Sequence, residues 1–208
     1  MSRALDESLM RRAIAAARAR LGTTSPKPTV GCVIARGDTV ISEAATGQGG
    51  HPHAEEQALI QIGEGARAAT VYITLEPCAQ RSSGATSCSE RLVAAGVARV
   101  VIAAENPEGL SAGRGLERLR AAGVPVETGF LAQEAAPLYR AFRHKLSSGR
   151  PLVEASDNGQ GFDAAFVLQP GESPEAALSR YAAQGLVRLW VETDGPLAGR
   201  LQDLGLLA

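Results

Sequence analysis

Short apolar runs alternate with helix-periodic segments through residues 5–146, and that order leaves few architectures open. Leu9, Met10, Ile14, Ala17 and Leu21 recur at helical spacing over residues 5–21, and Gly22 closes the segment. The stretch TTSPKP then demands an extended, turn-rich path, because the residue before a proline is pushed out of the helical region. Val30 to Ala35 and Thr39 to Ala44 read as the two strands of a hairpin turning at Arg36-Gly37-Asp38. A glycine-rich loop, GQGG, leads into a helix over about residues 53–62, and residues 69–75 form a strand pattern. Ser87 and Glu90 have the spacing of a capping box, which predicts a helix from Cys88 to Ala95, stopped by Gly96. A buried strand over 98–103, a helix near 115–122, a short strand at 124–127 and a helix over 131–146 complete the series. The expected fold is a layered α/β domain with a partly parallel sheet.

The small-residue stretch Ser147-Ser148-Gly149-Arg150 divides the chain into a main domain, residues 1–148, and an appendage, residues 149–208. Hydrophobic residues make up 45% and charged residues 21%, which is ordinary globular composition. The formal net charge is -1 and no basic block stands out, so no nucleic-acid partner is expected. The opening MSRALDESLMRRA is charged and helix-periodic, unlike a signal peptide, and no run approaches the ~20 apolar residues of a membrane helix. A cytoplasmic location and no membrane partner follow as expectations.

The cysteines are Cys32, Cys78 and Cys88, an odd set that argues for buried thiols or metal ligands over a disulfide framework. Cys32 lies in the apolar run PTVGCVIA and reads as a small core residue. Cys78 and Cys88 lie in polar surroundings, where burial alone does not account for them. The predicted strand Val71 to Leu75 delivers Glu76-Pro77-Cys78 to its carboxyl end, where ligands gather in such sheets. Helix starts at His53 and Cys88 can converge on the same place, and a helix N-terminus favours the thiolate that a metal needs.

His53, Cys78 and Cys88 are therefore the expected metal donors, and one imidazole with two thiolates suits Zn2+. Three protein ligands leave a fourth position for water, and Glu55, two residues beyond His53, is the expected catalytic proton carrier. A closed structural site with His51 as fourth ligand stays open at this point. His-x-Glu followed by Pro-Cys is the order found in zinc deaminases, although nine residues rather than two separate the cysteines here. His144, Arg140, Arg143 and Lys145 read as a solvated helix face.

The assembled segments resemble the deaminase domain of bifunctional riboflavin-biosynthesis deaminase–reductases. TTSPKPTVGCVIA, HAEEQALIQIGEGARAATVYITLEPC, CSERLVAAGVARVVIA and AGRGLERLRAAGVPVETG follow that family nearly residue for residue over about residues 7–150. Its cysteines are spaced C-x8-C, so this chain is one insertion away. The resemblance implies a cytidine deaminase-like three-layer α/β/α fold with a mixed sheet. It also implies zinc held by His53, Cys78 and Cys88, proton transfer by Glu55, and an oligomer. The implied reaction is hydrolytic deamination of a diaminopyrimidinone carrying a ribosylamino 5′-phosphate.

Three substrate-side positions depart from the family. Lys27 stands where the family has asparagine, Thr46 where it has a histidine seven residues before the zinc histidine, and Gln80 where it has a histidine after Pro-Cys. Lys27, Thr46 and Gln80 are thus the candidate substrate-binding residues. Their changes admit another amino-heterocycle as substrate, a pterin, nucleoside or modified pyrimidine, and a silent zinc-binding paralogue is a further alternative. RPLVEASDNGQGFD and LSRYAAQGLVRLWVETDGPLAGRLQDLGLLA resemble the start and a late segment of the family's reductase. Residues 149–208 then correspond to a truncated remnant of a dihydrofolate-reductase-like domain without a dinucleotide turn.

Overall fold

The computed structural model describes residues 2–107 and 113–208. Its first element is helix α1, Arg3–Arg18, opened by the Ser2 side chain, which accepts the N–H of Leu5. The helix starts earlier and stops sooner than the apolar spacing predicts, and turns carry the chain from residue 19 to Gly22. Strands β1, Gly31–Arg36, and β2, Thr39–Ala45, form the expected hairpin. Then follow α2, Ala54–Ile62; β3, Thr70–Leu75; α3, Cys88–Ala94; β4, Arg99–Ala104; α4, Arg114–Ala121; β5, Val126–Glu127; and α5, Ala132–Ser148. Strand β5 is shorter than its apolar run because Pro125 has no N–H to give the ladder; its carbonyl still accepts from Val100. The segment AGRGLERL begins at residue 112, outside the described residues.

The strands order as β2-β1-β3-β4-β5. Strand β1 is antiparallel to both neighbours, whereas β3, β4 and β5 run parallel. Alternation along each strand splits the core in two. Val33, Ala35, Tyr72, Val101 and Ala103 face α1 and α5, with Met10, Ile14, Leu138 and Tyr139 packed on them. Cys32, Ile34, Val71, Ile73, Val100 and Ile102 face α2, α3 and α4 through Ala54, Ala58, Leu92 and Leu119. The result is the three-layer α/β/α fold with a mixed sheet, and Cys32 is fully buried in it. Gly31 lets α1 come close: a Cβ there would stand 1.9 Å from the Ala13 carbonyl oxygen.

A second sheet follows, built from β6, Leu152–Ala155; β7, Ala164–Ala165; and β8, Arg188–Val191, in the parallel order β6-β8-β7. Helices α6, Pro174–Ala183, and α7, Pro196–Asp203, cover it with Leu178, Tyr181, Ala198 and Leu201 against Val153, Leu189 and Val191. It joins the main domain through Ala141 and Phe142 of α5, which pack on Leu152 and Val187.

Here the expectation of a wholly solvated α5 face is corrected. Arg140 pairs with Glu154 at 2.9 Å, and the Lys145 ammonium donates to the carbonyls of Leu186 at 2.8 Å and Ala182 at 3.3 Å. Both cations tie the appendage down, a use that depends on residues distant in the chain. Among the described residues, no helix is long and apolar enough to cross a membrane.

Candidate metal centre

Three segments meet beyond the carboxyl ends of β3 and β4. The first is the start of α2, where His53 is the N-cap residue in extended conformation, its ring unused in capping. The second is Glu76-Pro77-Cys78, which continues β3; the Glu76 N–H donates to the Ala104 carbonyl at 2.8 Å. The third is the start of α3, where the expected capping box is present: Ser87 accepts from the Glu90 N–H and the Glu90 carboxylate accepts from the Ser87 N–H. That cap sets Cys88 as the first helical residue, fully buried.

The convergence brings one nitrogen and two sulfurs together. The donor atoms of His53, Cys78 and Cys88 lie within 4.8 Å of one another. His53 Nδ1 stands 3.3 Å from Cys88 Sγ and 3.7 Å from Cys78 Sγ, and the Cys88 N–H points at Cys78 Sγ from 3.3 Å. A tetrahedral zinc shell places such donors about 3.5–3.8 Å apart, so the set fits zinc in both spacing and donor softness. His51 does not join the set; its ring stacks on that of His53 at 5.2 Å between centroids.

Hydrogen bonds within the site also redistribute the protons of these groups. The Cys78 thiol is pulled down to about 4, first by the hydrogen bond from Cys88 and then by His53 and the Cys88 N–H. Sharing that proton pushes Cys88 up, and the hydrogen bond with Cys78 raises His53. Glu55, only 4% exposed in the first turn of α2, is raised by burial and by the negative Cys78.

His53, Glu55 and Cys78 lie on a cavity of about 160 Å³. Lys27, Thr46 and Gln80 all line it, with His51, Glu55 and Arg81. Lys27 and Gln80 are exposed at the rim. The Thr46 hydroxyl is already engaged, accepting the Val30 N–H at 2.9 Å and donating to the Val30 carbonyl at 3.3 Å, so its polar group is committed to the loop.

Residues overlooked in the sequence complete the frame. The buried Glu76 carboxylate accepts the N–H groups of Asn106, Gly113 and Gly115 at 3.1–3.2 Å, holding the start of α4 against the metal loop. Arg118 donates to the Ala79 carbonyl at 2.7 Å and to the hydroxyls of Ser87 and Ser89, closing the loop between the cysteines. The Arg81 side chain is 9% exposed and grips Glu56 at 2.7 Å, and Arg91 pairs with the other Glu56 oxygen at 3.0 Å. The one available signal was the position of Glu76 beside Pro77-Cys78. Nothing local marks Arg81 or Arg118, whose partners are set by the fold.

The layered sheet and the His/Cys/Cys cluster define a zinc-binding deaminase domain, and residues 3–104 match the family described as cytidine and deoxycytidylate deaminase zinc-binding region. The chain belongs to the family of diaminohydroxyphosphoribosylamino-pyrimidine deaminases. It is 37% identical to the Buchnera aphidicola protein of that name over 146 residues, 70% of this chain and 99% of the relative. It is 40% identical over 168 residues to riboflavin biosynthesis protein RibD of Escherichia coli, 81% of this chain but 45% of that protein, so it spans about half the length of such relatives. The structure of Acinetobacter baumannii RibD, form 1, superposes with a TM-score of 0.80 at 25% identity, over 99% of this chain and 85% of the other. The resemblance read from the motifs, and the fold it implied, hold.

Proposed function

We propose that this chain catalyses the zinc-dependent hydrolytic deamination of an amino-pyrimidine, the diaminopyrimidinone ribosylamino 5′-phosphate of riboflavin synthesis. The observation that carries the reading is that Glu55 lines one cavity with His53 and Cys78, two of the three converging donors. In this reading His53, Cys78 and Cys88 hold the ion, which when bound supplies an activated water near neutral pH. Glu55 takes a proton from the attacking water and returns it to the departing nitrogen, so that the ring C–N bond is replaced by C–O and ammonia leaves. Its burial supports this role, because a desolvated carboxyl holds and passes protons closer to neutrality. The match to a relative named as that deaminase over nearly its whole length supports the choice of substrate.

Residues 1–148 are read as the catalytic domain and residues 149–208 as a reductase-like remnant without dinucleotide chemistry. The superposition on RibD over 99% of this chain supports the likeness of residues 149–208 to part of that protein. A cytoplasmic homo-oligomer belongs to the same reading, and sedimentation of the purified chain tests the assembly.

Lys27 on the cavity favours a second reading in which another amino-heterocycle is the substrate, since a cation replaces a neutral amide there. Ammonia release from a panel of aminopyrimidines, nucleosides and pterins decides. The first reading expects the highest kcat/KM for the phosphorylated diaminopyrimidinone. A pterin or nucleoside leading the panel establishes the second, and no release from any of them overturns both in favour of a silent zinc protein.

A further inference from the structure

The segment TTSPKP brings Lys27 to the cavity, yet it is a short polar loop with two prolines and little core of its own. It closes on itself through the Lys27 N–H, which donates to the Thr24 carbonyl at 3.0 Å, and the Thr24 hydroxyl, which donates to the Lys27 carbonyl at 3.1 Å. On the cavity side it leans on the GQGG loop. The Gly49 N–H donates to the Thr23 carbonyl at 2.9 Å, and a Cβ on Gly50 would meet the Lys27 stem at 2.5 Å.

On its other side lies the appendage. The Ser25 hydroxyl donates to Asp163 Oδ2 at 2.5 Å, and the same oxygen accepts the N–H groups of Val187 at 2.6 Å and Arg188 at 2.9 Å. The carboxylate is therefore fixed by backbone at the entry to β8 before Ser25 reaches it. Two glycines allow the close fit. A Cβ on Gly22, which has φ +79°, would stand 2.3 Å from the Phe162 carbonyl oxygen, and one on Gly185 would meet Pro26 at 3.3 Å. Lys145 holds the turn preceding Val187 to α5. The seam leaves a cavity of only about 30 Å³.

We propose that the C-terminal segment braces the substrate loop, with Asp163 as a positioning residue that sets Lys27 at the cavity through Ser25. The inference rests on reading the 160 Å³ cavity as the substrate pocket. Polar contacts hold much of the loop, including the buried Thr24 and Thr29 hydroxyls 2.7 Å apart. The Lys27 side chain is exposed, so its reach is decided by where its backbone stands. An anionic acceptor on a backbone-anchored strand supplies that placement. The appendage would thus act in substrate binding without carrying a reactive group.

The test uses full-length, zinc-loaded protein. Ser25→Ala removes the donor and leaves Asp163 satisfied by two N–H groups, so folding is little disturbed; Asp163→Asn weakens the same link from the other side. For the best substrate of the panel, both variants are expected to raise KM about tenfold, the scale of one charge-assisted hydrogen bond, with kcat and zinc content near wild type. In a Lys27→Ala background, Ser25→Ala is expected to add no further rise. A fall in melting temperature with unchanged KM, or effects of Ser25 and Lys27 that multiply, overturns the proposal. Amide hydrogen exchange over residues 22–28 needs no turnover: Ser25→Ala is expected to speed it about tenfold, and unchanged protection refutes the brace even if the deaminase reading fails.

Discussion

The guanidinium of Arg81 donates Nη2–H to the sulfur of Cys88 at 3.5 Å while its Nη1 holds Glu56 at 2.7 Å. One part-buried cation thus bridges a candidate ligand and the third residue of α2. Burial alone would raise the Glu56 carboxyl, but Arg81 and Arg91 override it and hold Glu56 below its usual range. Arg81→Met keeps the stem and removes the charge. We expect kcat to fall about tenfold or more, the scale of a charge-assisted hydrogen bond, with zinc content unchanged. Steady-state kinetics alongside metal analysis checks it, and an unaltered kcat counts against a role for the bridge.

Glu55→Gln keeps the size of the side chain and removes the exchangeable proton. The expected outcome is a loss of kcat of about 10²–10⁴-fold, the usual contribution of a positioned acid–base group. Zinc should stay at one equivalent, because the donors are His53, Cys78 and Cys88. Loss of metal together with activity would assign Glu55 to the shell instead.

Dialysis against a strong chelator is expected to remove about one zinc per chain, abolish ammonia release and lower the melting temperature. Donors must shed their protons before they grip a cation, so affinity weakens as pH falls and stripping is easier in mild acid. Cys88→Ser should reproduce the loss without chelator. A fully active chain with no bound metal would refute the centre.

Glu76→Gln tests the frame behind the site. The carboxylate accepts three backbone N–H groups, from Asn106, Gly113 and Gly115. An amide turns an NH₂ towards at least one of those donors, at a cost of about 1–3 kcal/mol. For a chain of this size that lowers the melting temperature by roughly 2–10 °C. Calorimetry reads the shift, and KM should rise as the cavity wall loosens.

Much of this molecule could be read from its residues alone, wherever the physics is local. Short, near-continuous apolar runs in β1, β3 and β4 mark strands buried on both faces. The Ser87–Glu90 capping box marks the turn at which Cys88 begins its helix. The order His53, Glu55, Pro77, Cys78 names a donor set and a proton carrier, because each sits at the end of an element that its own neighbours specify. Tertiary structure alone decided that β1 runs antiparallel beside β3, that Glu76 holds the start of α4, and that Arg118 of α4 binds the metal loop. It also decided that Arg81 lies against Cys88, and that Asp163 meets Ser25 across 138 positions of chain. Such partners are charged or polar groups whose hydrogen bonds form only after the two cores have packed, and sequence spacing carries no trace of a contact that packing creates.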